Sequence, residues 1–246
     1  EKNTPNQRFC EAPSFKEAKF PSSLWALLLS PFLLFGCLND QALEPEVIIE
    51  PPYSSLFSSD TIRFGEYKTF SIGNSSEATY EAVNLLKGSI GLDYLNVVSN
   101  IYEGLDELEG KLPLYHYIFM DEKAGTSTGV QLGIKGDRIE SIFLGNGKAL
   151  EKWPIDLSQS AIRKGDNVAV LYEKLKTISE NKKYKNKFEA INLLTKDLSK
   201  IYDAQMAASP QWYFAYTVEE NRMDVVELNF KKGNLDNIIV NHYRTY

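Results

Sequence analysis

The amino-acid sequence predicts an α+β fold: a tandem repeat of two-layer ααβββ units, with helices packed on antiparallel sheets. Two observations support this prediction. The chain is self-similar at an offset of 96 positions, so that Val130–Lys135 falls on Val226–Lys231 without a gap. Within each half, apolar residues at helical spacing are followed by residues that alternate between apolar and polar. The helices should therefore cover the apolar face of each sheet.

Each half is predicted to begin with two helices. Capping residues at 74–77 and at Asp166 precede the first helices, near 77–88 and 167–180. The second helices are predicted from apolar residues that recur at helical spacing. These residues are Leu95, Val98, Ile101, Tyr102, Leu105 and Leu108 in the first half, and Phe188, Ile191, Leu194, Leu198, Ile201 and Tyr202 in the second.

Three strands should follow the helices in each half. Residues 130–135 and 226–231 alternate strictly, which is typical of a sheet with one buried and one wet face. Turn residues at 136–137 and 232–234 join consecutive strands. Residues 61–72 are also strand-like, but the repeat gives them no place.

The cellular location of the protein is predicted from residues 24–36, which are thirteen apolar or small residues without a charge. A membrane-spanning helix needs about 20 such residues, so this length is typical of a signal peptide. The run ends in Leu34–Cys37, which resembles a bacterial lipobox; Leu34 and Gly36 match that pattern, and Phe35 is bulkier than the usual residue. The resemblance implies cleavage before Cys37 and attachment of lipid to it. The alternative is a short hydrophobic anchor that happens to end in cysteine.

Five segments follow from these patterns. Pro, Ser and acidic residues without sustained periodicity come after the cysteine and indicate a tether. The predicted segments are a removed signal-peptide region (1–36), a lipidated tether (37–60), a first ααβββ repeat (61–148), a linker (149–164) and a second ααβββ repeat (165–246).

Composition restricts the class of function. The formal net charge of −6 argues against nucleic acid, because phosphate binding needs clustered Lys and Arg. Both cysteines, Cys10 and Cys37, precede the predicted fold, and the two histidines, His116 and His242, are too few for a His-rich metal site. The sequence therefore predicts no cofactor and no bound metal.

No catalytic motif is present: the sequence has no Gly-x-Ser-x-Gly elbow, P-loop, His-Glu-x-x-His or dinucleotide fingerprint. His116 falls on Trp212 in the repeat, which favours a packing role. Four acidic residues cluster in 103–109, but such a run is more typical of a solvated surface. We therefore predict that the protein is not an enzyme. A hydrolase that uses a carboxylate pair is kept as an alternative.

A binding surface is predicted on the first strand of each unit, which is apolar on both faces. The candidate contact residues are Tyr115, Tyr117 and Phe119, with Tyr213 in the second half. Because Tyr is enriched at interfaces, we expect an exposed aromatic row on the sheet. Burial of these tyrosines under the linker, residues 61–72 or the other repeat is the alternative.

The element order resembles that of two families. Gly73 and Gly165 before the first helices and the aromatic strand Trp212–Tyr216 are similar to features of the β-lactamase inhibitor proteins. They are also similar to the small outer-membrane assembly lipoproteins. Both families bind proteins, so the resemblance implies a non-catalytic lipoprotein of the bacterial cell envelope. Its partners would be a membrane, the outer rather than the inner one, reached through lipid on Cys37, and another envelope protein. A glycan or small-ligand binder is the alternative.

Overall fold

The computed structural model describes residues 54–92 and 94–246. The signal-peptide region, Cys37 and the tether up to residue 53 lie outside the described residues. The described residues contain the α-helices α1 (Ser76–Ile90) and α2 (Leu171–Ser179). The strands are β1 (Ser54–Ile62), β2 (Glu66–Tyr67), β3 (Phe70–Ser71), β4 (Tyr94–Val97), β5 (Ile101–Tyr102), β6 (Tyr117–Asp121), β7 (Val130–Lys135), β8 (Arg138–Leu144), β9 (Lys152–Trp153), β10 (Ile162–Arg163), β11 (Ala190–Leu193), β12 (Thr195–Asp197), β13 (Gln211–Glu219), β14 (Arg222–Lys231) and β15 (Asn234–Thr245).

Helix α1 forms where the sequence predicts the first helix. The Ser75 hydroxyl accepts a hydrogen bond from the Ala78 amide at 3.2 Å, and Gly91 ends the helix in the left-handed region at a φ of 67°. Helix α2 lies in the second predicted position, and its buried side chains include Leu171 and Leu175. Among the described residues, neither of these helices has the length and hydrophobicity needed to cross a membrane.

The predicted second helix of each half is wrong, because strands β4, β5, β11 and β12 occupy those segments. Leu95 and Val97 are buried while Tyr94 is exposed, which is the period of a strand. Short apolar runs fit the period of a helix as well as that of a strand, and pairing with distant strands decides between the two. The structure is therefore mixed helix and mostly antiparallel sheet, as predicted, but its units are not ααβββ.

Strand positions nevertheless recur at the predicted offset of 96 residues. Shifted by 96, β4 coincides with β11 and the start of β8 coincides with the start of β15, while β6 and β7 fall inside β13 and β14. The two helices do not stay with their own halves. Helix α1 packs in one core with β13, β14 and β15, and α2 packs in the other with β6, β7 and β8. The segments 61–148 and 165–246 therefore share both cores instead of forming separate repeats.

The predicted linker is part of the structure too. Within 149–164, Leu150, Trp153 and Ile162 are buried in the core that contains α2. The predicted tether likewise ends early, because residues 54–60 belong to β1, which pairs with β15 at the edge of the sheet. The segment 61–72 completes β1 and forms the β2–β3 hairpin.

The strands form a six-stranded sheet in the order β1-β15-β14-β13-β4-β12 and a five-stranded sheet in the order β5-β11-β6-β7-β8. The two sheets are joined at the strand that contains β11 and β12. The pairing of Ala190 with Asp121 continues in register to the bridge between Lys196 and Tyr115. Along the way Leu194 donates its amide hydrogen to the Tyr117 carbonyl at 3.1 Å.

The two cores lie on opposite faces of this joined sheet. Leu193 is buried in the core with α2, whereas Lys196, of opposite alternation in the same continuous register, lies with its ammonium 5.4 Å from the ring centre of Tyr80 in the core with α1. Strands β4 and β5, which a turn separates, also contribute to different cores, with Val97 in the α1 core and Tyr102 in the α2 core. Helix α2 covers one face of the five-stranded sheet and α1 covers one face of the six-stranded sheet. Because side chains alternate across a strand, the other face of each sheet is left uncovered by these helices.

Candidate functional site

The uncovered face of the five-stranded sheet carries one row of side chains that crosses all five strands. Each member is the direct register partner of the next, from β5 through β11, β6 and β7 to β8. We call this the cross-strand row. Its members, in order, are Ile101, Asn192, Phe119, Gln131 and Phe143.

The cross-strand row alternates apolar and amide side chains and contains no charge. Ile101 is 55% exposed and Phe143 is 37% exposed, while its other members are half-buried. Phe119 reaches across to Gly129, where an added Cβ would stand only 2.7 Å from the ring. The missing side chain of Gly129 therefore determines how Phe119 lies on the face.

The amide groups of the row are not used within the fold. In the part of the chain that the structure describes, the Oδ1 atom of Asn192 is buried without a hydrogen-bond partner. The Gln131 amide also makes no hydrogen bond to another described residue, and its register partners are Phe119 and Phe143. A buried unpaired acceptor costs about 1–3 kcal/mol. The Nδ2 group of Asn192 and the Gln131 amide, which the described residues leave unpaired, are available to a ligand.

A hollow of about 570 Å³ opens over this end of the row. Phe119 and Phe143 form its walls with Gln131 between them, and glycines at 125, 145 and 147 form its loop side. Asp121, whose carboxylate is paired with Lys187, and Thr126 also line it. Tyr117 flanks the row one register step away and is 41% exposed. Its ring lies beside Gly133, where an added Cβ would stand 3.5 Å from the ring.

The uncovered face of the six-stranded sheet is built differently. Its central row contains Tyr213, whose register partners are Glu227 and Asn96. Here the polar groups bond one another: Gln211 donates to Glu227 at 2.9 Å, and Asn241 donates to the same carboxylate at 2.8 Å. On the neighbouring strand, Thr195 donates to Asn96 at 2.8 Å. This face therefore satisfies its polar groups internally and serves as a natural comparison for the cross-strand row.

The structure separates the four residues predicted to bind a partner. Tyr117 and Phe119 lie together on the uncovered face of the five-stranded sheet. Tyr213 is 38% exposed but lies on the opposite side of the joined sheet, since its neighbour Trp212 is buried with α1. Tyr115 is 1% exposed, so the expectation that it is a surface contact is wrong. It precedes β6 and is drawn inward by a buried carboxylate.

That carboxylate belongs to Asp203, which lies at the crossing between the two cores. Tyr115 donates to its Oδ2 at 2.7 Å and Tyr102 at 3.4 Å, and burial with the nearby carboxylate raises the pKa of both phenols. The fully buried ammonium of Lys196 lies 5.9 Å from the Tyr115 ring centre and 5.4 Å from that of Tyr80. Burial lowers the pKa of Lys196 to about 8.

Several other carboxylates are engaged in ion pairs. Lys187 donates to Asp121 at 3.1 Å and to Glu122 at 2.8 Å. Burial alone would raise the pKa of Asp121, but hydrogen bonds from Thr126 and Lys187 outweigh it and lower this pKa. A general acid needs a raised pKa, so Asp121 has the wrong shift for that role. The predicted acidic cluster is not helical, and Glu103 within it pairs with Lys123 at 2.8 Å.

Metal-binding geometry is absent from residues 54–92 and 94–246, which contain no group of three or more His, Cys, Asp or Glu side chains able to hold an ion. His116 is partly buried, with its Nδ1 atom 3.3 Å from the Ile134 carbonyl. His242 lies between two carboxylates: its Nδ1 is 2.6 Å from Asp224, and its Nε2 is 3.3 Å from Asp60.

No family model matches this chain, and neither a curated protein nor a solved structure is similar enough to count as a match. The resemblances drawn from the lipobox and the element order therefore stay predictions.

Proposed function

We propose that this protein is a lipid-anchored component of the bacterial cell envelope that binds another envelope protein through the cross-strand row, without catalysing a reaction. The observation that supports this most is the composition of the row: exposed apolar side chains alternate with unpaired amides, and no charge intervenes. Protein interfaces are enriched in aromatic residues and depleted of Lys, Glu and Asp at their centres. The internally bonded face around Tyr213 lacks this character.

We further infer that the two halves are copies of one structural unit whose helices have been exchanged. The recurrence of strands at an offset of 96 residues supports this inference. The exchange would make each half dependent on the other, because each core needs a helix from the other half. The cross-strand row also depends on both halves, since Asn192 comes from the second.

The anchor is proposed to be Cys37, in the outer membrane rather than the inner one. With β1 beginning at Ser54, the predicted tether between Cys37 and this strand would have sixteen residues. Such a segment has a root-mean-square reach of about 22 Å. The row would therefore operate close to the membrane surface.

Metabolic labelling tests the anchor. Wild-type protein expressed in a bacterium should incorporate radiolabelled palmitate, and Cys37→Ala should abolish the label. Cys10→Ala is the matched control, because it removes the other cysteine and should leave labelling unchanged. Equal labelling of the wild type and the Cys37 variant would contradict lipid attachment at this position.

Affinity capture tests the row. The full chain should retain a stoichiometric partner from detergent-solubilised envelope of the source organism, as identified by mass spectrometry. The Ile101→Ala/Phe143→Ala double variant should lose that partner, whereas Tyr213→Ala on the opposite face should keep it. Loss in both variants, or in neither, would contradict the assignment of binding to this row. Unchanged thermal unfolding would show that the variants are folded.

A glycan ligand is the second candidate, favoured by the hollow between Phe119 and Phe143. Aromatic walls and a neutral amide are suited to the faces and hydroxyl groups of a sugar. Binding on a glycan array that Phe143→Ala abolishes, together with a blank capture experiment, would favour this candidate.

A further inference from the structure

We infer that the partner presents an extended, proline-rich segment in the polyproline II conformation, laid along the cross-strand row at right angles to the strands. This inference rests on the proposed function, since it names the chemistry of the protein ligand for the same surface. Four features of the row support it: its spacing, its unpaired donors, its lack of charge and the hollow at one end.

The spacing comes from the sheet itself. Ile101, Phe119 and Phe143 stand on every second strand of the row. Neighbouring strands are about 4.7–4.9 Å apart, so the apolar side chains repeat every 9.4–9.8 Å or so. A polyproline II helix has three residues per turn and rises about 3.1 Å per residue, which returns the same side to the surface every 9.3 Å or so. Six residues would cover the row, whereas side chains on one face of a bound β-strand would repeat at about 6.8 Å and fall out of step.

The amides supply the hydrogen bonds that such a ligand lacks. Polyproline II has no internal hydrogen bonds, so its carbonyl groups need donors from outside. In the described part of the chain, no acceptor engages the Asn192 Nδ2 or the Gln131 Nε2 group. The Oδ1 atom of Asn192 is buried, which leaves the Nδ2 end of this amide as the one turned toward a ligand. Each amide stands between two apolar members of the row, where the carbonyls of an overlying segment would pass.

The charge of the row matches a proline-rich ligand. None of its five members is ionisable, although the protein has a formal net charge of −6. A charged segment would lose hydration on this face without gaining a counter-ion. Proline brings neither a charge nor an N–H group that would be left unpaired against the rings. A second copy of this chain is disfavoured as the occupant because it would bring another net charge of −6.

The hollow fits the side chain of such a segment. Phe119 and Phe143 wall it on two sides with Gln131 between them. Recognition of proline-rich segments by aromatic-lined grooves uses this arrangement, because the ligand is already ordered and loses little entropy on binding. A proline ring seated between the two rings would place its own carbonyl over the Gln131 amide.

The direct test is fluorescence polarisation of labelled decaproline with the full chain. A Gly-Ser peptide of equal length is the control for conformation, and chitohexaose is the control for a glycan ligand. Decaproline should bind with a Kd below about 1 mM, and Phe143→Ala and Gln131→Leu should each weaken it by about tenfold. Tyr213→Ala should leave the Kd within about twofold. Phe143 and Gln131 are not fully buried, so their replacement should not unfold the protein, and thermal unfolding checks this.

Several outcomes would overturn the inference. Decaproline that does not bind, or that binds all row variants equally, would contradict it. Row-dependent binding of chitohexaose alone would assign the surface to a glycan. If the envelope partner is captured through the row but decaproline does not compete for it, the proposed function stands and the inference fails. If decaproline binds through the row and no envelope protein is captured, the inference about ligand chemistry stands and the proposal of an envelope-protein partner fails.

Discussion

Replacing the buried lysine at the crossing of the two cores should show how much its charge costs the fold. Lys196 is fully buried, and its ammonium donates to the Asp197 carbonyl at 2.8 Å, with no carboxylate of residues 54–92 or 94–246 in ion-pair range. Desolvation lowers its pKa from 10.5 to about 8. Below pH 8 both the folded and the unfolded chain bind the proton, and the fold bears the full cost of the buried charge. Between pH 8 and 10.5 only the unfolded chain stays protonated, so stability rises with pH.

The magnitude follows from linkage. One pKa unit corresponds to about 1.36 kcal/mol, so lowering the pKa from 10.5 to about 8 makes the free energy of unfolding rise by about 2 kcal/mol between pH 7 and 9.5. Lys196→Met keeps the apolar stem and removes the titrating group. The variant should therefore lack this rise. Above pH 10 the buried tyrosines begin to titrate in the unfolded chain, so the comparison belongs below that pH.

Urea unfolding followed by tryptophan fluorescence measures the difference. The free energy of unfolding of Lys196→Met minus that of the wild type should fall by about 2 kcal/mol as the pH rises from 7 to 9.5. Lys200→Met is a suitable control, because it removes a neighbouring exposed lysine and should show no such trend. A difference that is constant with pH would refute the argument that desolvation controls this lysine.

Three other predictions concern polar groups that the fold holds in place. Tyr115→Phe removes the hydroxyl that donates to buried Asp203 and should lower the free energy of unfolding by about 1.5–3 kcal/mol while leaving capture through the cross-strand row intact. Lys187→Met leaves the Asp121 carboxylate, whose side chain is 3% exposed, without its cation and should cost about 3–5 kcal/mol, part of which a second substitution, Asp121→Asn, should recover; an additive double variant would contradict the pairing. Hydrogen bonding to its carboxylate neighbours raises the pKa of His242, so its contribution should be complete below about pH 6.5 and lost as the pH rises through the raised value; urea unfolding of His242→Gln from pH 5.5 to 8.5 would test this, and a pH-independent difference would contradict it.

The sequence supported part of the fold for identifiable reasons. The capping residues before α1 and the strict alternation of 130–135 are local patterns, and both gave the right element. The segments 95–108 and 188–202 were wrongly predicted to be helices because their apolar spacing fits both helical and strand periods. Pairing of β4 with β12 and β13, and of β11 with β5 and β6, decided in favour of strands. No local pattern contains that information.

The binding residues show the same division. Alternation along 115–121 correctly placed Tyr117 and Phe119 on the face away from their core. It could not show that Tyr115, of the same alternation, would turn inward toward Asp203, which lies 88 positions away in the chain. The cross-strand row was invisible for the same reason: the alternation of 130–135 points Gln131 outward, but the other members of the row come from four other strands.

The sequence by itself determined which side chains of β7 and β14 face a core and where α1 begins, and it predicted a lipid anchor at Cys37, because each of these depends on residues close together in the chain. The tertiary structure alone decided which sheet each helix covers, that the two cores lie on opposite faces of the joined sheet, and that five strands from both halves align one uncharged row. Those outcomes depend on the pairing of distant strands. A period of two fixes the side on which a residue lies but not which strand lies beside it.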